Sequence, residues 1–403
     1  MRLFLIMKCD TGPSSIAFCT PDVARRFVQD RLAEHLATVI NPGAPERDQR
    51  GIPLDALAFR PLADLGLFAF LLPPELGGLG DRRAFGLVLE QIGYYCDELE
   101  VASLVSMYAD VAAVIAASER ADLIDAYVIP MSRGDRFGTF AYTERGDALS
   151  FSCRAVKHRD RYVLSGQKCL QTGGHLAEVF LTYVRDERDD LKLFLVERGD
   201  PGVQIEPVAT AGFRAAGLTR LELGGVELGE DRVVVGVDAL SHAQRFLNDR
   251  RLFIACPMVG RMRGILASCV DHLGQVIRYG VALSQQQAVQ AKLGRMFIRC
   301  ETARGVLHDA LNHWAASERN PLFDTTSTAA KYTIVENAIA LAQDAIYLTG
   351  WQGYSNALPY ERMLRAFMSG IAGQTAQDVI ELLLGNQVVA QSELLKHRKV
   401  VAI

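Results

Sequence analysis

Tyr347-Leu-Thr-Gly-Trp-Gln-Gly-Tyr354, followed by Pro359-Tyr-Glu-Arg362, Arg365 and Gly373-Gln-Thr375, is the stretch whose reading decides the fold. It follows a run of helical periodicity from Thr326 to Leu348. By themselves, Gly350 and Gly353 read as a helix C-cap turn. Gly373 and Gln374 carry no group that takes a proton near neutral pH.

Working outward, the chain reads as helices, then strands, then helices. Residues 20–130 are helical in pattern, with apolar residues at three- and four-residue steps from Pro21 to Leu36 and again from Leu87 to Ala117. Asn41-Pro-Gly43 predicts a break, and Gly93 a weak point. Leu67–Leu72 is a short apolar run ending in Pro73-Pro74, read as a buried strand-like or turn segment. Glu75–Gly80 is glycine-rich but is neither a P-loop nor a dinucleotide fingerprint.

From about 137 to 236, β-type runs recur at Val163, 179–184, 191–196, 203–205, 221–223 and 233–235, separated by turn residues. Long helices return from about 238. The expected domains are 1–135 (all-helical), 136–238 (β) and 239–403 (helical bundle), giving an α+β fold. Phe253, Met258, Met262, Met296 and Phe297 recur at helical steps and read as core.

Composition narrows the classes. Of 403 residues 49% are hydrophobic, ample for a large core, and the net charge is −4. That balance gives no electrostatic reason to expect nucleic acid or an anionic membrane surface. The eight cysteines lie far apart with no C-x-x-C pair, so they predict neither a disulfide framework nor a zinc site; no metal is expected. Free buried thiols point to a reducing, cytoplasmic setting. Met1–Lys8 holds too short an apolar run for a signal peptide, and Met7 is an alternative start. No apolar stretch reaches the ~20 residues of a membrane span.

The ordered motifs resemble the acyl-CoA dehydrogenase superfamily across nearly the whole chain. Pro74-Glu-Leu-Gly-Gly-Leu-Gly80 is similar to the family's P-E-x-G-G-L-G, Ala141-Tyr-Thr-Glu144 to A-x-T-E, and Ser165-Gly-Gln-Lys168 with Thr172 and Gly173 to G-x-K-x-x-I-T-N. Gly212–Gly217 with Leu221–Leu223 resembles G-x-R-x-[ST]…V-x-F. Arg251, nine residues before Gly260, resembles the helix that passes the CoA, and Lys331 falls in the family's A-K helix. The opening stretch resembles G-G-x-G-[FY]…P-x-E-R-x-x-R-D…E-G-T. The resemblance implies a helical domain, a β-barrel-like domain and a four-helix bundle. It also implies FAD, a CoA or carrier-protein thioester as substrate, and a homotetramer or homodimer with shared flavin sites.

It further implies site residues. Phe140, Tyr142, Thr143, Leu170 and Thr172 are expected beside the flavin. Arg278, Gln287, Tyr347, Gly350, Gln352 and Gly353 are expected toward the rest of FAD, with Trp351 read as stacking on adenine or filling the core. Leu247, Asn248, Arg250 and Arg251 are expected along the substrate. Three departures stand out. The base of E-G-T falls on Gly373 if Thr375 is anchored, or on Gln374 if Arg365 is. The aromatic after G-x-K is Leu170, and the phosphate-binding Arg of R-x-x-F-G is Val276, with Arg278 two residues on. The family's G-S-D is shortened to Arg145-Gly-Asp-Ala148.

Some family members carry their base at the position of Arg250, beside which stands Asp249. Asp249 and His175 are the remaining acid–base candidates, with solvated or satisfied side chains as the plain alternative. Three functions follow: a flavin oxygenase of secondary or antibiotic metabolism, a thioester dehydrogenase with a displaced base, and a flavin- or partner-binding protein without catalysis. The first is favoured, since oxygen activation needs a dry flavin pocket and no α-proton base. A flavin reductase or an electron-transfer flavoprotein is the expected electron partner.

Overall fold

The computed structural model describes residues 20–146, 150–235, 238–316 and 322–400, the side chains of 315–316 and 391–400 excepted. The Met1–Lys8 start, Cys9, Cys19 and the Asp147-Ala148 end of the shortened motif lie outside the described residues.

Helix α1 (Pro21–Arg31) begins under Thr20, whose hydroxyl accepts the Val23 N–H at 3.3 Å. The break expected at Asn41-Pro-Gly43 does not occur. The path runs through a π turn (Leu36–Ile40) and a 3-10 turn (Asn41–Gly43) straight into α2 (Ala44–Arg50). Proline is tolerated early in a turn, where its missing N–H is not needed. The Asn41 amide meanwhile ties the turn to the backbone of Tyr95 and Asp97, at 3.0 and 2.8 Å.

Helix α3 (Ala56–Asp64) follows, and Leu67–Leu72 is a buried turn rather than a strand. Helices α4 (Arg82–Tyr95) and α5 (Leu99–Ala116) part at Cys96–Glu98, not at Gly93. Gly93 is a close-approach site: a Cβ there would stand 2.2 Å from the Pro257 carbonyl oxygen of the helix crossing it.

Eight strands form the middle sheet: β1 (Gly138–Ala141), β2 (Arg154–His158), β3 (Arg161–Gln171), β4 (Val179–Arg185), β5 (Leu191–Glu197), β6 (Val203–Pro207), β7 (Thr219–Gly229) and β8 (Val233–Val235). Their order is β6-β7-β3-β2-β4-β5-β8, with β1 parallel to β4. The expected strands are all present, and β2 is an addition. The path runs open from β6 to β8 as one mixed sheet among the described residues, the β domain expected between the helical ones.

The last third holds α6 (Ala239–Gln275), α7 (Gln287–Ala316), α8 (Thr325–Thr349), α9 (Tyr360–Ala372) and α10 (Gln377–Val400). Helices α6, α7, α8 and α9 pack as a bundle, and α6 also lies along α4 and α5. One apolar core runs through the N-terminal helices and this bundle, while a second joins α5 to β1, β4 and β5. Phe253, Met258, Met262 and Met296 are in the core as expected; Phe297 is exposed.

Helices α5 and α6 are long and apolar enough to cross a membrane, contrary to the sequence expectation, but they are mostly buried inside the protein, as core helices are. Cys96, Cys153, Cys256, Cys269 and Cys300 are free and buried, and Cys169 is half-buried.

Candidate active site

The end of β3 comes back against the residue following β1. Thr143 forms a bridge with Leu170, and its carbonyl accepts the Cys169 N–H at 2.7 Å. Between β1 and β3 the Thr139 hydroxyl donates to the Thr172 carbonyl at 2.7 Å. Alternation along the strand sends Gln171 inward, fully buried, and leaves Leu170 40% exposed.

Below this edge Lys168, wholly buried, donates to Glu144 at 2.5 Å. Burial opposes ionisation of Glu144, but Lys168 and Ser152 outweigh it and hold the carboxyl below its usual range. The A-x-T-E and G-x-K motifs therefore meet as an ion pair that fixes the edge.

This edge fits a flavin. The Thr143 and Thr172 hydroxyls make no hydrogen bond among the described residues and stand near an exposed apolar side chain, Leu170, so the edge offers two free donors beside an apolar surface, as a flavin would need. Phe140 is spent on core packing, with its ring 4.0 Å from that of Phe246 on α6. Tyr142 packs on Phe151 and Tyr183, and its buried hydroxyl has no partner.

His175 lies in the turn after this edge. Its Nε2 meets the Leu54 carbonyl at 2.6 Å and its Nδ1 the Gly217 carbonyl at 3.3 Å. Burial lowers its pKa while the two carbonyls oppose that shift; the neutral ring donates its one N–H to one of these carbonyls and packs against the other, between loops rather than facing a pocket.

The loop after α9 bears on α6. Gly373 closes α9 by donating its N–H to Ser369 at 2.8 Å. A Cβ on Gly373 would stand 2.9 Å from that same carbonyl and 3.5 Å from Ile254 Cδ1, so the backbone here is crowded against any side chain. Gln374 and Thr375 both take left-handed backbone angles, with φ of 54° and 84°. Such conformations cost on the order of 1–3 kcal/mol each and persist only where the surroundings hold them.

Two buried cations hold them. Arg251 donates through Nε and Nη2 to the Thr375 hydroxyl at 3.3 and 3.0 Å, and through Nη1 to Asn248 at 2.9 Å. Lys331 on α8 donates to the Thr375 carbonyl at 2.8 Å and to Gln377 Oε1 at 3.0 Å. Burial lowers the pKa of Arg251 to about 10. Burial, with Arg251 adding to it, lowers that of Lys331 to about 7.

The other α6 candidates diverge. Leu247 is half-buried. Arg250, 2% exposed, donates to Asp110 at 2.7 Å and Ser106 at 3.1 Å on α5. The position that carries a base in some relatives is thus a cation already paired. Asp249 meets Arg82 of α4 at 3.5 Å, and its Oδ1 has no partner. Burial, with Asp110 adding to it, pushes its pKa up to about 7. It lies ~140° round the helix from Ile254, which touches the loop, so it points toward α4 and not toward residues 373–375.

The glycine loop is a single turn, Trp351–Tyr354, set off by Gly350 at φ 60° and ψ −133°. Trp351, Tyr347 and Tyr354 are each more than 70% exposed, so Trp351 does not fill the core. Gln352 is half-buried and Gly353 is buried in the same turn. Arg278 stands exposed on a two-residue hairpin, and Gln287 opens α7.

Comparison with known proteins agrees with this arrangement. The N-terminal, middle and C-terminal domain models of acyl-CoA dehydrogenase match residues 22–135, 139–226 and 240–374. The chain belongs to the acyl-CoA dehydrogenase family. Benzylmalonyl-CoA dehydrogenase of Aromatoleum aromaticum is 26% identical over 375 residues, covering 90% of this chain and 97% of that protein. Among solved structures, a prolyl acyl carrier protein oxidase superposes with a TM-score of 0.83 at 20% identity, covering 91% of this chain and 98% of that one. A glutaryl-CoA dehydrogenase from Mycobacterium smegmatis in complex with FADH2 superposes with a TM-score of 0.82 at 19% identity, covering 91% and 94%. The family is one of FAD flavoproteins, and the edge at Thr143 and Thr172 is consistent with that cofactor.

Proposed function

We propose that this chain is an FAD-dependent oxidoreductase acting on an acyl thioester of CoA or a carrier protein, with molecular oxygen as co-substrate. The observation that carries the reading is the loop at 373–375: it offers glycine, amide and hydroxyl, held by Arg251 and Lys331, and no carboxylate. A reaction that begins by taking an α-proton needs an acceptor there. FAD, when bound, supplies the redox chemistry. Thr143 and Thr172 would hold its edge, Phe246 and Ile254 of α6 would help to exclude water, and Gln374 would hydrogen-bond the thioester carbonyl. Relatives named for a CoA thioester and for a carrier-protein substrate support the thioester class.

The exposed aromatic face at Tyr347, Trp351 and Tyr354 supports assembly as a homodimer or homotetramer in which a second copy completes the FAD site. A flavin reductase or an electron-transfer flavoprotein supplies electrons, and the free thiols suit a cytoplasmic setting. The test is stopped-flow reoxidation of the flavin, reduced without air and mixed with oxygen. Fast reoxidation through a transient near-ultraviolet band is expected; slow, featureless reoxidation sinks the oxygen reading. A protein that stays colourless after FAD is added sinks every catalytic one.

One observation favours a second reading, thioester dehydrogenation with Asp249 as base: its carboxyl sits near a pKa of 7 with one oxygen free. That reading requires anaerobic bleaching by an acyl-CoA, and loss of the bleaching in Asp249→Asn with binding retained.

A further inference from the structure

We infer that the Tyr142 hydroxyl binds the substrate, donating a hydrogen bond to the carbonyl oxygen of the thioester. This rests on the thioester reading above and adds to it a residue of the middle domain.

Among the described residues the Tyr142 hydroxyl is buried and has no hydrogen-bond partner. Its ring is held without one, packed edge-on against Phe151 at 5.0 Å and Tyr183 at 5.4 Å. A phenylalanine would pack there as well, and a buried hydroxyl left unpaired costs stability. The neighbouring tyrosine shows the usual solution: the Tyr183 hydroxyl meets His242 Nδ1 at 2.8 Å. Tyr108 also has an unpaired hydroxyl, but it is 1% exposed among the rings of Phe59, Phe68 and Phe137, where nothing arrives from solvent. Tyr142 stands elsewhere.

It is half-buried and directly precedes Thr143, which is exposed at the flavin edge. Arg251 is the charge felt at its hydroxyl, and Arg251 is also the side chain that holds Thr375. Tyr142 and the loop at 373–375 therefore border the same arginine. Gly373, Gln374 and Thr375 are half-buried, as is Leu247 one turn before Arg251, so solvent reaches the surface on both sides of it. Oxidation of a thioester at its α-carbon brings that carbon against the flavin, and the carbonyl carbon is bonded to it. The carbonyl oxygen is thus the acceptor that every substrate of this class carries to this place. Burial holds the Tyr142 proton on, so the hydroxyl is a donor at working pH. Its hydrogen bond strengthens as charge builds on the oxygen during reaction. A carbonyl oxygen accepts two hydrogen bonds, so Tyr142 and Gln374 do not compete for it.

The test removes the hydroxyl and the oxygen separately and together, as a double-mutant cycle does. FAD-loaded wild type and Tyr142→Phe are titrated calorimetrically, without air, with butyryl and phenylacetyl thioesters of phosphopantetheine, the arm common to CoA and carrier proteins. The matching S-butyl and S-phenylethyl thioethers, which lack the carbonyl oxygen, complete the cycle. In the wild type at least one ester is expected to bind ~10-fold or more tightly than its ether. In Tyr142→Phe that ratio is expected to fall ~5-fold or more while the ether binds as before. The ligand-free variant is expected to melt no lower than wild type and to retain FAD, because the hydroxyl it lacks has no partner.

Esters that wild type binds no more tightly than their ethers, or a ratio that is the same in both proteins, overturn the contact and leave the thioester reading standing. Equal loss of ester and ether affinity in Tyr142→Phe also overturns it, since the hydroxyl would then act without the carbonyl. A variant that melts lower or releases FAD overturns it as well, because the hydroxyl then has its partner inside the holoprotein. If none of the four compounds binds wild type, the thioester reading fails and the contact with it.

Discussion

Two lysines among the described residues are fully buried, Lys168 in the sheet and Lys331 on α8. Lys168 meets Glu144 at 2.5 Å and the Tyr183 carbonyl as well. Lys331 meets a carbonyl and an amide oxygen and lies beside a second buried cation. The first is a closed electrostatic unit that ties β3 to the segment after β1. The second is an open one. The cations beside Thr375 hold a left-handed turn, so the difference separates a lysine that closes an ion pair from a lysine that pins a strained backbone through neutral acceptors.

The largest expected effect breaks the closed unit. Lys168→Met strands the Glu144 carboxylate in a buried site, and removing one partner of a buried pair costs ~3–5 kcal/mol. Denaturant titration of the variant is expected to show that loss, with weaker FAD retention because β3 and the Thr143 segment are no longer tied. A variant as stable as wild type would remove the ground for calling this pair structural.

An intermediate effect sharpens the comparison with a charge of the other sign. Glu100 at the start of α5 is buried, with its Oε2 partnerless. Burial, with Glu98 adding to it, pushes its pKa up to about 8 from 4.5. Below about 4.5 the folded and unfolded forms are both protonated and nothing is lost. Between there and about 8 the folded state holds the proton more tightly, so stability falls as pH rises. Glu100→Gln is expected to match wild type near pH 5 and to exceed it by about 2 kcal/mol or more near pH 8. Equal slopes for the two proteins would show that Glu100 is not titrating in this window.

The sequence reaches as far as contacts local in the chain. The strand edge at Thr143 and the helix end at Gly373 are set by hydrogen bonds to residues close by in fold or chain. Gly93 reads as a weak point because a glycine signals either a helix end or a close crossing, and only Pro257, far along the chain, decides which. The pairing of Arg250 with Asp110 spans 140 residues, and the meeting of Lys331 with Thr375 spans 44. No periodicity reports such pairs. What the sequence did carry was their negative image: a loop without its carboxylate, whose consequence for Arg251 appears only when the helices are packed. His175 illustrates the opposite case, a residue chemically suited to catalysis that two carbonyls claim first.

The smallest expected effect bears directly on Lys331. Its pKa falls from 10.5 to about 7 on folding, so between those values the unfolded chain binds the extra proton and stability rises with pH. Lys331→Met removes the buried ammonium but leaves the Thr375 carbonyl and Gln377 Oε1 without their donor, so the gain is partly offset. The ligand-free variant is expected to be ~1 kcal/mol more stable than wild type near pH 6, and the difference is expected to vanish near pH 10. Thermal melts of the two proteins across that range, in buffers free of carboxylates, measure it. If Lys331→Met instead loses as much as Lys168→Met, the hold of Lys331 on the turn at 374–375 outweighs the cost of burying its ammonium, and the two lysines contribute alike to the fold.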